Sequence, residues 1–353
     1  MKRKLLVAIP LLCMVVLLAW IFRPKHEVVG EAYVSERTVT LWSSIAQVRE
    51  QMGVLTYGEH VEVLARRNDN VKVRTAGGVV GWMDGRFLMA PDLWQRSAKL
   101  LEQTKTMGVQ GRGRTKVPTN LRVEPGRTEP RVYQFTRGTE VEIFGRTVAY
   151  WVQVSDEKEG GDTEPAKKED WYLVRGIATR PPGDGTVRNS AVMNTTQPGD
   201  QSIPIAGWVV ARFVSLDLPD AVREGTTAAN VRPIAWFELN RVTDDSGDHP
   251  QYLVAGAKGA EGQPCDFTVL RVYTWNPKKT RYETAYIEND LCGALPVSVG
   301  KGPKGEPAFK FHVMDSGKEE RLYHLVQTVV RRVREESGTK AGTGKRAASK
   351  GTR

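Results

Sequence analysis

The stretch Gly58-Glu-His-Val-Glu-Val-Leu-Ala-Arg66 recurs 80 positions later as Gly138-Thr-Glu-Val-Glu-Ile-Phe-Gly-Arg146. The same offset aligns 26 consecutive positions without a gap, beginning at Leu41 and Leu121. A second block, Gly81-Trp-Met-Asp-Gly-Arg-Phe-Leu88, returns in the same order as Gly207-Trp-Val-Val-Ala-Arg-Phe-Val214. Two blocks repeated in order mean a duplicated domain, so a fold proposed for one copy must serve both.

Each block reads as strand. Val61 and Val63, or Val141 and Ile143, alternate with glutamate in the period-2 pattern of a half-buried strand, and glycine precedes each as a turn requires. In the first copy Val71-Lys-Val-Arg74 is joined by Thr75-Ala-Gly-Gly78 to Val79-Val-Gly-Trp82, a hairpin pattern in which glycine supplies positive φ. Short strands within about 60 residues bury a core only as a compact barrel or sandwich.

This order of a Gly-led V-E-V strand, a V-K-V-R strand, a glycine turn and a terminal Gly-Trp followed by aromatic-Leu resembles the bacterial SH3-type (SH3b) domain. The second copy adds Asn120-Leu-Arg-Val-Glu-Pro-Gly126, similar to the family's N-terminal signature, where the first copy has Leu41-Trp-Ser-Ser-Ile-Ala-Gln47. The resemblance implies two small SH3-like β-barrels, at residues 34–91 and 119–216. It also implies an aromatic groove with Trp82, Phe87, Trp171, Trp208 and Phe213 as candidate members. These rings have two readings, packed barrel core or a partly exposed floor that stacks on an extended ligand. Phe87 and Phe213 stand where the family often has Tyr, which removes a phenolic hydrogen bond.

The second copy is swollen. Trp171-Tyr-Leu-Val-Arg175 is the expected counterpart of the Val71 strand, preceded by an added strand, Ala149 to Val154, and a charged loop, Ser155 to Asp170. A second loop rich in Pro, Gly, Asn and Ser runs from Pro181 to Gln201. Between the copies (92–118) a short amphipathic helix, Asp92 to Gln103 with Asp92 as N-cap, leads into a linker. After a linker at 217–230, residues 231–336 read as a C-terminal antiparallel β module. Its expected strands are Pro233–Val242, Gln251–Gly256, Phe267–Tyr273, Tyr282–Glu288 and Ala308–Met314, with a hairpin turn at Thr274–Thr280. Leu322 to Val333 fits either a helical face or a strand, and its β-branched content selects strand. Residues 337–353 are expected to be a disordered basic tail.

Residues Leu5 to Phe22 form 18 uncharged positions, about 27 Å as a helix and enough to cross a bilayer core. Charged residues follow directly at Arg23, Lys25 and Glu27 rather than a small-residue cleavage site, which favours an uncleaved signal anchor (1–23, then a linker at 24–33) over a cleaved signal that would release a secreted form. Lipoprotein attachment at Cys13 is the third reading. The flanking charges place the N-terminus in the cytoplasm and the body outside the inner membrane, in the periplasm. In such an oxidising compartment Cys265 and Cys292 are expected to form a disulfide.

The formal charge of +10 concentrates at the ends, three from Lys2, Arg3 and Lys4 and five from the acid-free tail, leaving two for everything between. A nearly neutral body gives no electrostatic footprint for nucleic acid. The five histidines lack metal-ligand spacing, Asp244-Asp-Ser-Gly-Asp248 lacks the alternation of a calcium loop, and Gly342-Thr-Gly-Lys345 lacks the flanking strand and helix of a phosphate loop. No metal or cofactor is therefore expected. The expectation is a mainly β, membrane-anchored, non-enzymatic binding or scaffold protein of the cell envelope, whose ligand the resemblance suggests is peptidoglycan peptide, an extended polypeptide or an envelope protein. One rival is an envelope hydrolase, or its accessory subunit, with the C-terminal module catalytic through Asp245, Cys265 or His312. The other is a purely structural protein.

Overall fold

The computed structural model describes residues 27–151, 167–179, 202–314 and 319–333. The expected anchor, both long loops of the second copy and the basic tail lie outside these residues, apart from the loop's last four, 167–170. Among the described residues no helix is long and apolar enough to cross a membrane. The fold is mainly β. The described residues fall into two compact units, one within Met1–Met107, Arg114–Glu142 and Trp171–Ser215, the other within Gly108–Gly113, Ile143–Asp170 and Leu216–Arg353.

The first copy forms strands β1 (Gly30–Val34), β2 (Thr38–Trp42), β3 (Gln51–Thr56), β4 (His60–Arg67), β5 (Asn70–Thr75), β6 (Val80–Asp84) and β7 (Leu88–Met89). Helix α1 (Pro91–Thr106) follows. The second copy forms β8 (Gly111–Thr115), β9 (Thr119–Arg122), β10 (Arg131–Phe135), β11 (Glu140–Trp151), β12 (Lys167–Thr179), β13 (Ser202–Val210) and β14 (Val214–Leu216). In both copies a single 3-10 turn, Gly85–Phe87 or Ala211–Phe213, precedes the last strand. The sheet orders are β3-β2-β6-β5-β4-β1-β7 and β10-β9-β13-β12-β11-β8-β14, the same sequence of strands under the repeat.

The duplication extends to single hydrogen bonds. Gly58 N donates to Val34 O at 2.9 Å and Gly138 N to Thr115 O at 2.7 Å; Ser35 N donates to Phe87 O at 2.8 Å and Lys116 N to Phe213 O at 2.7 Å. Both turn glycines have positive φ, 81° and 82°, a conformation that a side chain disfavours. The first core holds Val34, Leu41, Val61, Val63, Val73 and Met83, each the inward member of an alternating strand and worth roughly 1.5–3 kcal/mol when fully buried.

The expectation of barrels and of three linkers is corrected. Among the described residues no ladder joins β3 to β7 or β10 to β14, so neither seven-stranded sheet closes. The first copy begins at Gly30 rather than residue 34, because β1 pairs with β4. Residues 111–115, expected as linker, are strand β8, and the 217–230 linker holds helix α2 (Asp220–Ala228). Helix α1 is capped by Ala90, with Pro91 at its start and Asp92 in its first turn. Proline suits that position because its fixed φ is helical and its missing N–H would be unpaired there anyway.

In the other unit β15 (Arg232–Asp244), β16 (Gly247–Ala257), β17 (Val269–Asn276) and β18 (Arg281–Glu288) form one antiparallel sheet, and β19 (Gly293–Lys301), β20 (Pro307–Val313), β21 (Glu319–Val326) and β22 (Val329–Val333) a second. Both contribute to a shared core that includes Leu253, Phe267, Leu270, Phe309, Phe311 and Tyr323, so the module is a sandwich. Helix α2 packs Val222 against Tyr252, Val254 and Tyr273 on the first sheet. Gly225 makes this possible, since a Cβ there would stand 2.4 Å from the Tyr273 ring.

A buried ionic cross-link closes this unit. The Arg146 guanidinium donates to Asp170 at 2.5 Å, Asp266 at 3.1 Å and the carbonyls of Gln263 and Cys265, while Asp170 also accepts from Arg232 and from Gly262 N. Cys265 and Cys292 meet at disulfide distance, 2.00 Å.

Candidate functional site

The five aromatic residues expected in one groove do not share one environment. Trp171 is 1% exposed. Phe87 packs against the first core, and Phe213 lies under the Arg212 guanidinium at 5.4 Å. Trp82 and Trp208 are half-buried at equivalent places on β6 and β13. The pleat fixes where these two point: Met83 and Val209 next to them face the cores, so Trp82 and Trp208 face outward.

Equivalent rows cross the two sheets at these tryptophans. In the first copy Trp42, Trp82 and Lys72 stand side by side on β2, β6 and β5. In the second the row is Arg122, Trp208 and Leu173. Both are held at close range by glycine. A Cβ on Gly81 would meet Leu41 at 3.0 Å and Trp42 O at 3.1 Å, and one on Gly207 would meet Arg122 O at 2.6 Å and Leu121 at 2.8 Å.

The outward faces have diverged. In the second copy that face carries Trp171, Leu173, Ala206 and Val210, all buried, and α1 lies against β13. Small Ser97 and Thr104 on the helix's buried side permit the close approach. In the first copy the face carries Lys72, Arg74 and the Trp42–Trp82 pair, none of them buried, with the Arg49 guanidinium 4.3 Å above the Trp42 ring. Beside it on edge strand β3, Met52 and Val54 are exposed. Trp42 and Arg49 were absent from the sequence-derived set.

The two copies meet through a run of rings. Trp94 of α1 stacks on Tyr33 at 4.9 Å, Tyr57 packs on Trp94 and, edge-on at 5.0 Å, on Tyr133, and Tyr133 packs on Phe135. Glu36 and Arg131 add an ion pair of 2.5 Å across the same boundary. At this junction lies a groove of about 390 Å³ whose walls include Arg37 of the first copy and Tyr133, Thr136, Arg137, Thr139 and Ile177 of the second. Burial raises the pKa of the Tyr133 phenol, opposed by nearby Arg37, so the hydroxyl stays protonated and can donate.

The C-terminal sandwich brings Asp244, Ser246 and His249 together at the β15–β16 hairpin tip. His249 Nε2 lies 2.8 Å from Ser246 Oγ and 3.2 Å from Asp244 Oδ1, and Ser246 Oγ donates to the same Asp244 oxygen at 2.5 Å. A catalytic relay needs the carboxylate on the other imidazole nitrogen, and this geometry instead ties the tip together. Trp275 stacks on His249 at 3.8 Å and donates Nε1 to Asp244 Oδ2, and the hydrogen bond from Ser246, followed by that from Trp275, holds Asp244 down at about 2. The rival's candidates do not converge: Cys265 is bonded to Cys292, and His312 lies on an exposed strand position near Glu320. Among the described residues no cluster of His, Cys, Asp or Glu is arranged to hold a metal ion.

No protein-family model matches the sequence, and no curated protein matches it. Among solved structures the chain aligns with an NlpC/P60 family protein from Bacillus cereus at 10% identity and a TM-score of 0.21, covering 86% of this chain and 94% of that one. It also aligns with NlpC2 from Trichomonas vaginalis at 9% identity and 0.16, covering 88% and 94%, and with NlpC1 from the same organism at 9% and 0.16, covering 86% and 87%. Scores this low do not amount to a shared fold.

Proposed function

We propose that this chain is a non-enzymatic binding protein of the cell envelope. In this reading it is anchored by residues 5–22 and holds wall peptide or an extended envelope polypeptide through its first module. The observation that carries this is the outward face of that module. The two modules share one topology and each leaves its sheet tryptophan half-buried, yet Trp208 is surrounded by the buried Trp171, Leu173, Ala206 and Val210, whereas Trp82 lies beside half-exposed Trp42 between Arg49, Lys72 and Arg74. Rigid rings beside cations offer contact area at little entropy cost. The Cys265–Cys292 pair fits an oxidising compartment.

The test is co-sedimentation of the purified chain with intact peptidoglycan sacculi at low salt. Pelleting that is lost in Trp42→Ala with Trp82→Ala supports wall binding at this face. A chain that stays in the supernatant sinks wall peptide as the ligand.

A further inference from the structure

We propose that the groove at the junction of the two modules is a second binding site, and that it takes an acidic peptide whose carboxylates are held by Arg37 and Arg137. The proposal rests on the reading of the chain as a binding protein and names a ligand class for a place that the Trp42–Trp82 face does not include.

Charge is the first argument. Arg37 and Arg137 are exposed, line one groove from opposite modules, and have no ion-pair partner among the described residues. The carboxylates nearby are already engaged: Glu36 is paired with Arg131 at 2.5 Å and Glu140 with Arg114 at 2.7 Å. Two guanidinium groups are thus left over, and a planar fork matches a carboxylate with two parallel hydrogen bonds.

Shape and rigidity are the second. The volume, about 390 Å³, lies within the roughly 300–1,000 Å³ common for ligand sites. Arg137 sits on a turn fixed before any ligand arrives. Thr139 N donates to Thr136 O and to Thr115 Oγ1, Gly138 N donates to Thr115 O, and Gly138 has φ 82°. Tyr133 and Ile177 give the groove an apolar wall, which suits a chain with carbon between its charges better than a bare inorganic anion. Tyr133 belongs to β10, the outer strand of its sheet, and an outer strand has backbone groups free to pair with an extended peptide.

The repeat supplies an internal contrast. The position equivalent to Arg137 in the first copy is Tyr57, which is buried against Trp94 and Tyr133. One copy of the turn is spent on packing and the other presents a cation.

The test uses the full chain and a fluorescein-labelled decapeptide of alternating Glu and Ala, with a Gln-for-Glu analogue, followed by fluorescence anisotropy. The expected result is that the Glu peptide binds, the Gln analogue binds about tenfold or more weakly, and Arg37→Ala with Arg137→Ala costs a similar factor at an unchanged melting temperature. Equal binding of both peptides, no binding of the Glu peptide, or full affinity in the double variant overturns the proposal. Sacculus sedimentation reads the wall-binding proposal separately. A chain that pellets with sacculi but does not prefer Glu peptide overturns the groove inference and leaves wall binding standing. One that binds Glu peptide through both arginines without pelleting does the reverse.

Discussion

At Gly207 the duplicated architecture depends on a missing methyl group. A Cβ would stand 2.6 Å from Arg122 O and 2.8 Å from Leu121 Cγ, both on the crossing strand. Gly207→Ala is expected to destabilise by about 1–3 kcal/mol, whereas Gly145→Ala, with nothing within 4 Å, should stay within about 0.5 kcal/mol. Urea unfolding separates the two, and equal midpoints would contradict the close-approach account. Asp170 and Asp266 share Arg146 but titrate in opposite directions. Burial opposes ionisation of Asp170, yet Arg146, Gly262 N–H and Arg232 outweigh it and hold the carboxyl below its usual range; burial dominates at Asp266 and raises it. A lowered folded pKa means that the Asp170 contribution is complete above the unfolded value, about 3.9, and is lost as pH falls through the folded one. Asp266 has the opposite sign and takes up its proton at higher pH, with a gain in stability. Asp170→Asn removes the shorter of the two ion pairs of Arg146 and the partner of Arg232, and is therefore expected to cost about 2–3 kcal/mol and Asp266→Asn clearly less, as thermal unfolding at pH 7 would show. A larger cost for Asp266→Asn would refute the assignment.

Elements differ in how plainly they were written. β12 carries Trp171-Tyr-Leu-Val174 with no alternation, and an unbroken apolar run marks a stretch buried on both faces. Its partner in the first copy, Val71-Lys-Val-Arg74, alternates and has one wet face. That contrast was the available signal that the Trp208 face packs and the Trp82 face does not, and grouping the two tryptophans by motif hid it. Strand β8, Gly-Arg-Gly-Arg-Thr, has no apolar residue: its buried positions are Gly111, Gly113 and Thr115, so hydropathy is silent there. The segment Leu322 to Val333, read as one strand, is a hairpin that turns at Gln327 with φ 56°, a residue that gives no turn signal. Strand β19 was missed because Gly and Pro break its pattern. Cys265 and Cys292 were legible as a pair, separated by 27 positions. Removing that link by Cys265→Ser with Cys292→Ser should cost about 3 kcal/mol in the chain-entropy model, read as a lower urea midpoint; an unchanged midpoint would show that the loop is held without it.

Across the whole chain, the two copies share one topology while their outward faces have diverged. One copy's face became a packing surface against α1, and the other's kept two half-exposed tryptophans with cations beside them. Arg37 and Arg137, from different copies, carry no motif because they are far apart in sequence and line one groove only once the copies are docked. The most direct measurement pairs sacculus binding with thermal stability in two single variants, Trp82→Ala and Trp208→Ala. Trp82→Ala is expected to lose binding while melting within a few degrees of wild type, and Trp208→Ala to destabilise by about 2–4 kcal/mol but still bind when folded. Binding lost in Trp208→Ala and retained in Trp82→Ala would overturn the assignment of binding to the first module.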